Sequence, residues 1–158
     1  IGPKARNINK DFQFEDGEFN QLTYWMNRQI IDNYPLDLIS PVDWMDESQD
    51  LNERVRSYLD VNCGHCHSPT GNANSTGLYL HLNETRDVNL GVYKKPVATG
   101  RGSGGLKYSI VPGKPEESIL LHRMISMDPG VMMPESGRAL THEEAVEMVR
   151  EWIMFMEK

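Results

Sequence analysis

Apolar residues recur at spacings of three and four in four stretches of the chain, and each stretch predicts a helix. In residues 17–33 the stripe is Phe19, Leu22, Met26 and Ile30. In residues 50–62, Leu51, Val55, Tyr58 and Asn62 fall on one face, and Asp50 with Glu53 has the spacing of a capping box. That helix runs directly into Cys63. Residues 114–127 open with Pro115 and two acidic side chains, a composition suited to a helix start. Residues 141–156 open with Thr141 and Glu144 as a second capping box and align Ala145, Val149, Trp152 and Met156.

Between the second and third stretches the pattern lapses. Residues 71–113 hold eight of the 13 glycines, including the run GRGSGG, and read mainly as loop. Leu78, Leu80 and Leu82 alternate, which predicts one short extended piece. A loop this long inside a compact domain calls for an organising partner. A large apolar cofactor is such a partner, because loops pack on it in place of a protein core. The 158 residues suffice for one domain with a core. Residues 1–46 read as an N-terminal extension with one helix, and 47–158 as the main domain.

Charge narrows the partners. Sixteen basic against 23 acidic residues give a net charge of −7. Neither nucleic acid nor an anionic membrane surface suits that balance, since both demand a basic footprint. No apolar run approaches the roughly 18 residues of a membrane-spanning helix. The chain opens on Ile1 without the basic and apolar regions of a signal peptide, and reads as a mature product or a piece of a longer chain.

The only two cysteines lie in Cys63-Gly64-His65-Cys66-His67, the C-x-x-C-H spacing of covalent haem attachment. At a helix end, residues i and i+3 face one side, so two thiols meet the two vinyl groups of one haem. The imidazole of His67, directly after the second thiol, then lies over the macrocycle as an iron ligand. Other uses of these residues compete with this one. A thioredoxin-like dithiol wants a helix after the motif, whereas here the helix precedes it. Structural zinc wants four ligands, and His81, His122 and His142 do not supply the usual spaced pair. A disulfide or a pair of inert thiols is the remaining use.

Met124, Met127, Met132 and Met133 cluster late in the chain. Methionine ordinarily fills cores. Met133, however, precedes Pro134 in a turn-rich loop, and a residue before proline is driven toward extended backbone. Met133 is therefore the candidate sixth ligand, with Met132 and then His122 behind it. Leu78, Leu80, Leu120 and Leu121 are expected in the core and beside the haem, and Arg101, Lys107 and Tyr108 are candidates to bond its propionates. The second ring nitrogen of His67 is expected to donate to a carbonyl near Ser68 and Pro69.

With these residues the chain resembles a class I-like monohaem c-type cytochrome. More closely, it is similar to the C-terminal haem domain of a bacterial conserved-hypothetical cytochrome-containing family. The blocks that carry the resemblance are RSYLDVNCGHCH, GRGSGG, VPGKPEESILLHRM, MMPESGR and THEEAVEMVREWI, across residues 51–153. It implies a mainly α, cytochrome c-like helical domain around one covalent haem c, with a long Gly-rich loop insertion and an N-terminal helical extension. It further implies thioethers at Cys63 and Cys66, iron ligation by His67 and Met133, and packing of Trp152 and its neighbours on the last helix against the Tyr58 face of the haem-bearing helix. Lys114 stands where the family usually has Asp, which removes an N-cap acceptor. The implied protein is no enzyme but an electron carrier cycling Fe(III)/Fe(II) between redox proteins, in the periplasm or cell envelope of a bacterium. A small-ligand-binding, peroxidase-like haem, or the electron-exit module of a larger dehydrogenase, is the alternative.

Overall fold

The structure, a computed structural model, describes residues 4–157, and the chain divides into two compact units that meet between Val42 and Asp43. The first unit contains α1 (Ala5–Ile8), β1 (Asp11–Phe14), β2 (Gly17–Asn20) and α2 (Gln21–Asn27). β1 and β2 form an antiparallel hairpin that pairs Phe12 with Phe19 and Phe14 with Gly17. Gly17 leaves the turn at φ +135°, which a side chain tolerates poorly. Phe14 stacks on Tyr24 with ring centroids 3.7 Å apart, and the Arg28 guanidinium lies 4.6 Å from the Tyr24 centroid. Asp16 accepts from the Tyr24 hydroxyl at 3.0 Å and from Arg28 Nη2 at 2.6 Å. Asn20 starts α2 by accepting from the Thr23 N–H at 3.1 Å.

This unit corrects the first predicted helix. Residues 17–20 are strand, and of the expected stripe only Leu22 is buried while Phe19, Met26 and Ile30 are exposed. The mainly α, cytochrome c-like architecture with a helical N-terminal extension is overturned with it. The described residues form a small α/β protein of six α-helices and one two-stranded antiparallel sheet, 37% helical. The cause is local: the Asp16-Gly17 step favours a hairpin turn, and cross-strand Phe12–Phe19 pairing competes with the helical stripe that Phe19 would join.

The second unit holds α3 (Leu51–Asn62), α4 (Asp87–Leu90), α5 (Ile119–Ile125) and α6 (Glu143–Phe155), with 3-10 turns at Asn74–Thr76, Gly100–Ser103 and Pro115–Glu117. α6 packs on both α3 and α5. Val55, Tyr58, Leu59, Leu121, Met124, Val149, Trp152 and Ile153 form one buried cluster with Leu80 and Ile110. Each fully buried Leu, Ile or Val in it contributes roughly 1.5–3 kcal/mol over an exposed position. Leu78 and Leu120 are half-buried against the same cluster.

Caps explain where the helices begin. Asp50 accepts from the Glu53 N–H at 3.2 Å, as its spacing predicts. The second capping box does not form, because the Thr141 hydroxyl donates instead to the Ile125 carbonyl at 3.3 Å, and α6 starts beyond His142 without a side-chain cap. The predicted third helix splits at Ser118. Its hydroxyl accepts from the Val111 N–H at 2.9 Å and donates to the Lys114 carbonyl at 3.0 Å, separating a 3-10 turn from α5.

The long glycine-rich segment is ordered by the protein itself. Arg56 Nη2 donates to the carbonyls of His81, Leu82 and Glu84 at 2.9, 2.9 and 2.7 Å. One turn along α3, buried Asp60 accepts from the Leu82 N–H at 3.0 Å. The buried Glu84 carboxylate accepts from the backbone N–H groups of Thr85 and Arg86, from the Arg86 guanidinium, and from the Asn89 amide. Leu80 and Leu90 are buried, and Val92 bridges to Ile110.

Candidate haem-attachment site

The C-x-x-C-H motif sits where α3 ends. The Cys63 N–H still bonds the Leu59 carbonyl at 2.8 Å, and the Gly64 N–H shares that acceptor at 2.9 Å. The chain then makes one further turn, in which the N–H groups of Cys66 and His67 return to the Cys63 carbonyl at 3.1 and 2.9 Å. The thiols are thereby one helical turn apart. Gly64 fits a tight point: a Cβ there would meet the Asp60 carbonyl at 2.8 Å and the His81 Cα at 3.1 Å. The motif also anchors the loop beyond it, since the Cys66 carbonyl accepts from Ala73 at 3.0 Å and the His67 carbonyl from Leu80 at 2.8 Å.

Electrostatics sort the uses of these groups. Burial pushes the Cys63 thiol up to about 12, and the neighbouring Cys66 acts in the same direction. The negative pole of α3 disfavours a thiolate there as well. Dithiol oxidoreductases need the reverse, a low thiol pKa at a helix N-terminus, so this motif is not arranged for disulfide exchange. Both thiols are free. Burial lowers the His67 pKa, Arg123 and His65 add to that, and the Leu78 backbone carbonyl opposes it. The neutral imidazole, the metal-ligating form, is favoured. The expected bond from the His67 Nδ1 to a carbonyl near Ser68 or Pro69 is not formed. The buried Nδ1 atoms of His65 and His67 have no hydrogen-bond partner.

Met133 lies in the loop after α5. Val131 and Met132 both donate to the Asp128 carbonyl at 2.8 Å and are buried, whereas Met133 is half-buried. The Met133 N–H donates to the Arg123 carbonyl at 2.9 Å, and Arg123 Nε donates to the Val131 carbonyl at 2.8 Å. Cys63 packs against the buried cluster that includes Met124 of α5, so the C-x-x-C-H turn and the helix leading into the methionine loop share one core. His122 is covered by the glycine run: a Cβ on Gly104 would stand 2.5 Å from its Nε2. Among the propionate candidates, Arg101 is paired with Asp128 at 3.0 Å and Lys107 lies 5.1 Å from the Tyr108 ring centroid. The sequence reading missed Arg123 and Arg138 as the side chains that hold the methionine loop. Their only sequence signal is a basic residue in or beyond the last turn of a helix, where orphan carbonyls await donors.

The residues present fit a covalently attached haem. Two unpaired thiols one turn apart, a buried neutral imidazole with an unpartnered ring nitrogen, and a thioether outside the core make up the donor set. No group of three or more His, Cys, Asp or Glu side chains is gathered for a metal ion among the described residues. No helix among them is long and apolar enough to cross a membrane. Comparison with protein-family models, curated proteins and solved structures returns no match to the chain.

Proposed function

We propose that this chain is an electron-transfer protein carrying one haem c, joined through thioethers at Cys63 and Cys66, with His67 and Met133 as axial ligands. The observation that supports it is the C-x-x-C-H turn closing α3, with both thiols free and Cys63 packed against the same buried cluster as Met124 of the helix that leads into the Met133 loop. When bound, the haem supplies a one-electron Fe(III)/Fe(II) couple. The protein's part is positional. The Leu59 and Cys63 carbonyls fix the turn that presents both thiols, burial keeps His67 neutral, and the paired Met133 backbone limits how far its thioether moves. A soft thioether favours Fe(II) and raises the potential. The chain is then a carrier and not an enzyme, with a redox protein on either side, in the periplasm or cell envelope where haem is attached to cysteines.

The test is a visible spectrum, oxidised and then dithionite-reduced, of protein made in cells with haem c maturation machinery, alongside Met133→Ala. Sharp reduced bands, with a weak far-red sulfur-to-iron band in the oxidised wild type and none in the variant, are expected. Covalent haem with a high-spin spectrum in wild type would replace the carrier with a small-ligand-binding haem. Bare polypeptide would overturn the reading.

A further inference from the structure

The clearest group left without a task is Arg138. Its Nη1 donates to the carbonyl of Met124 at 2.6 Å and to that of Met133 at 3.0 Å, and its Nη2 donates to the Ser126 carbonyl. Met124 lies in the last turn of α5 and Ser126 is its C-cap, so two of these acceptors belong to a helix end whose carbonyls lack partners within the helix. The third belongs to the candidate ligand. One planar cation thus ties the negative pole of α5 to the backbone of Met133.

The rest of the side chain argues that this placement is specific. Arg138 Nε is buried without a partner. Leaving such a donor unmade is unfavourable, and the fork with three carbonyls is what offsets it. The Met133 residue is consequently held from both sides, its N–H by the Arg123 carbonyl at 2.9 Å and its carbonyl by Arg138. Met132 is locked in the core on the same stretch. Removing Arg138 frees the side of Met133 that leads into Pro134 while leaving the buried side intact.

We infer that Arg138 is a positioning residue for the sixth ligand, holding the Met133 thioether at the haem iron by fixing the Met133 carbonyl to the end of α5. The inference rests on the haem reading above. Its test compares wild type, Arg138→Gln, Arg138→Lys and Met133→Ala as haem-loaded proteins, reading covalent haem content, the far-red band, the rate of carbon monoxide binding to reduced protein, and thermal stability. In Arg138→Gln the haem content should match wild type, the far-red band should weaken, and carbon monoxide should bind about tenfold faster or more, the effect of losing one charge-assisted hydrogen bond. Arg138→Lys, whose single ammonium cannot span three carbonyls, should fall between. A staple that merely stabilises the fold would lower the melting temperature and leave the band and the rate of the folded protein unchanged; that result overturns the inference. If Arg138→Gln does not accumulate, Arg138→Lys decides by the same two readouts. If Met133→Ala opens the iron and neither Arg138 variant does, this inference alone falls. If Met133→Ala matches wild type, Met133 is not the ligand and both readings fall.

Discussion

The indole Nε1 of Trp152 donates to Asn52 Oδ1 at 3.0 Å, joining the last helix to the first turn of α3 across 100 residues of chain. The bond closes the second unit on the helix that carries Cys63. It also explains why an aromatic residue sits at this position, since the same indole is buried against the core.

Trp152→Phe should keep most of the packing and lose this bond, lowering stability by about 1 kcal/mol. Trp152→Ala should lower it by roughly 3–5 kcal/mol through the cavity it leaves. Urea denaturation followed by far-ultraviolet circular dichroism reads both. Equal losses in the two variants would show that packing is irrelevant here.

Glu84 should set the acid limit of the second unit. Hydrogen bonds from Arg86, and then from Asn89 and backbone N–H groups, outweigh its burial and hold the carboxyl far below the ordinary carboxylate range. A folded pKa below the unfolded one gives stability that is complete above the unfolded value, about 4.3, and is lost as pH falls through it toward the folded pKa. Wild type should therefore lose stability below about pH 4.5 more steeply than Glu84→Gln. Parallel acid limbs in the two proteins would refute the assignment.

Two glycines separate crowding from backbone strain. A Cβ on Gly71 would stand well inside contact distance of the Cys66 and His65 carbonyls, which are main chain and cannot swing aside. Gly100 has φ +51° and nothing within 4 Å of its Cβ position. Gly100→Ala should cost about 1 kcal/mol, the left-handed penalty alone. Gly71→Ala should cost about 1–3 kcal/mol by overpacking and should also reduce covalent haem yield, because it displaces the Cys66 turn. Melting curves with haem quantitation distinguish them.

Cys63→Ser with Cys66→Ser should yield a chain whose mass is that of the bare polypeptide under conditions where wild type carries covalent haem. The hydroxyls fit the same turn, so circular dichroism of the apo forms should match. A haem retained covalently by the double variant would place the attachment elsewhere.

The parts of this protein that were legible in the sequence are those governed by local rules. Asp50 caps α3 because its spacing to Glu53 places an oxygen over one N–H, and no distant group intervenes. α6 was legible from its stripe, but not its cap, because Thr141 is drawn off by a carbonyl on α5 that no local pattern announces. The hairpin went unread although Asp16-Gly17 between alternating phenylalanines is its usual signal. Phe19 and Leu22 satisfy the helical spacing as well, and the longer stripe concealed the shorter alternation. In the candidate site, Cys63, Cys66 and His67 stand out by their spacing alone. Arg123 and Arg138 do not, because what they do is donate to main-chain carbonyls, and a carbonyl acceptor leaves no trace in residue identity.

The fan of bonds from Arg56 has a bearing on motion. A β-ladder secures its members one pair at a time and frays from an end. Here three acceptors within four residues share a single nitrogen, so residues 81–84 are gathered at one point and not along a ladder. Loss of the one guanidinium therefore frees all three carbonyls in a single step, where a ladder would lose them in turn. The loop behind the C-x-x-C-H turn is thereby moored to the helix that bears the cysteines at two side chains one turn apart, Arg56 and Asp60.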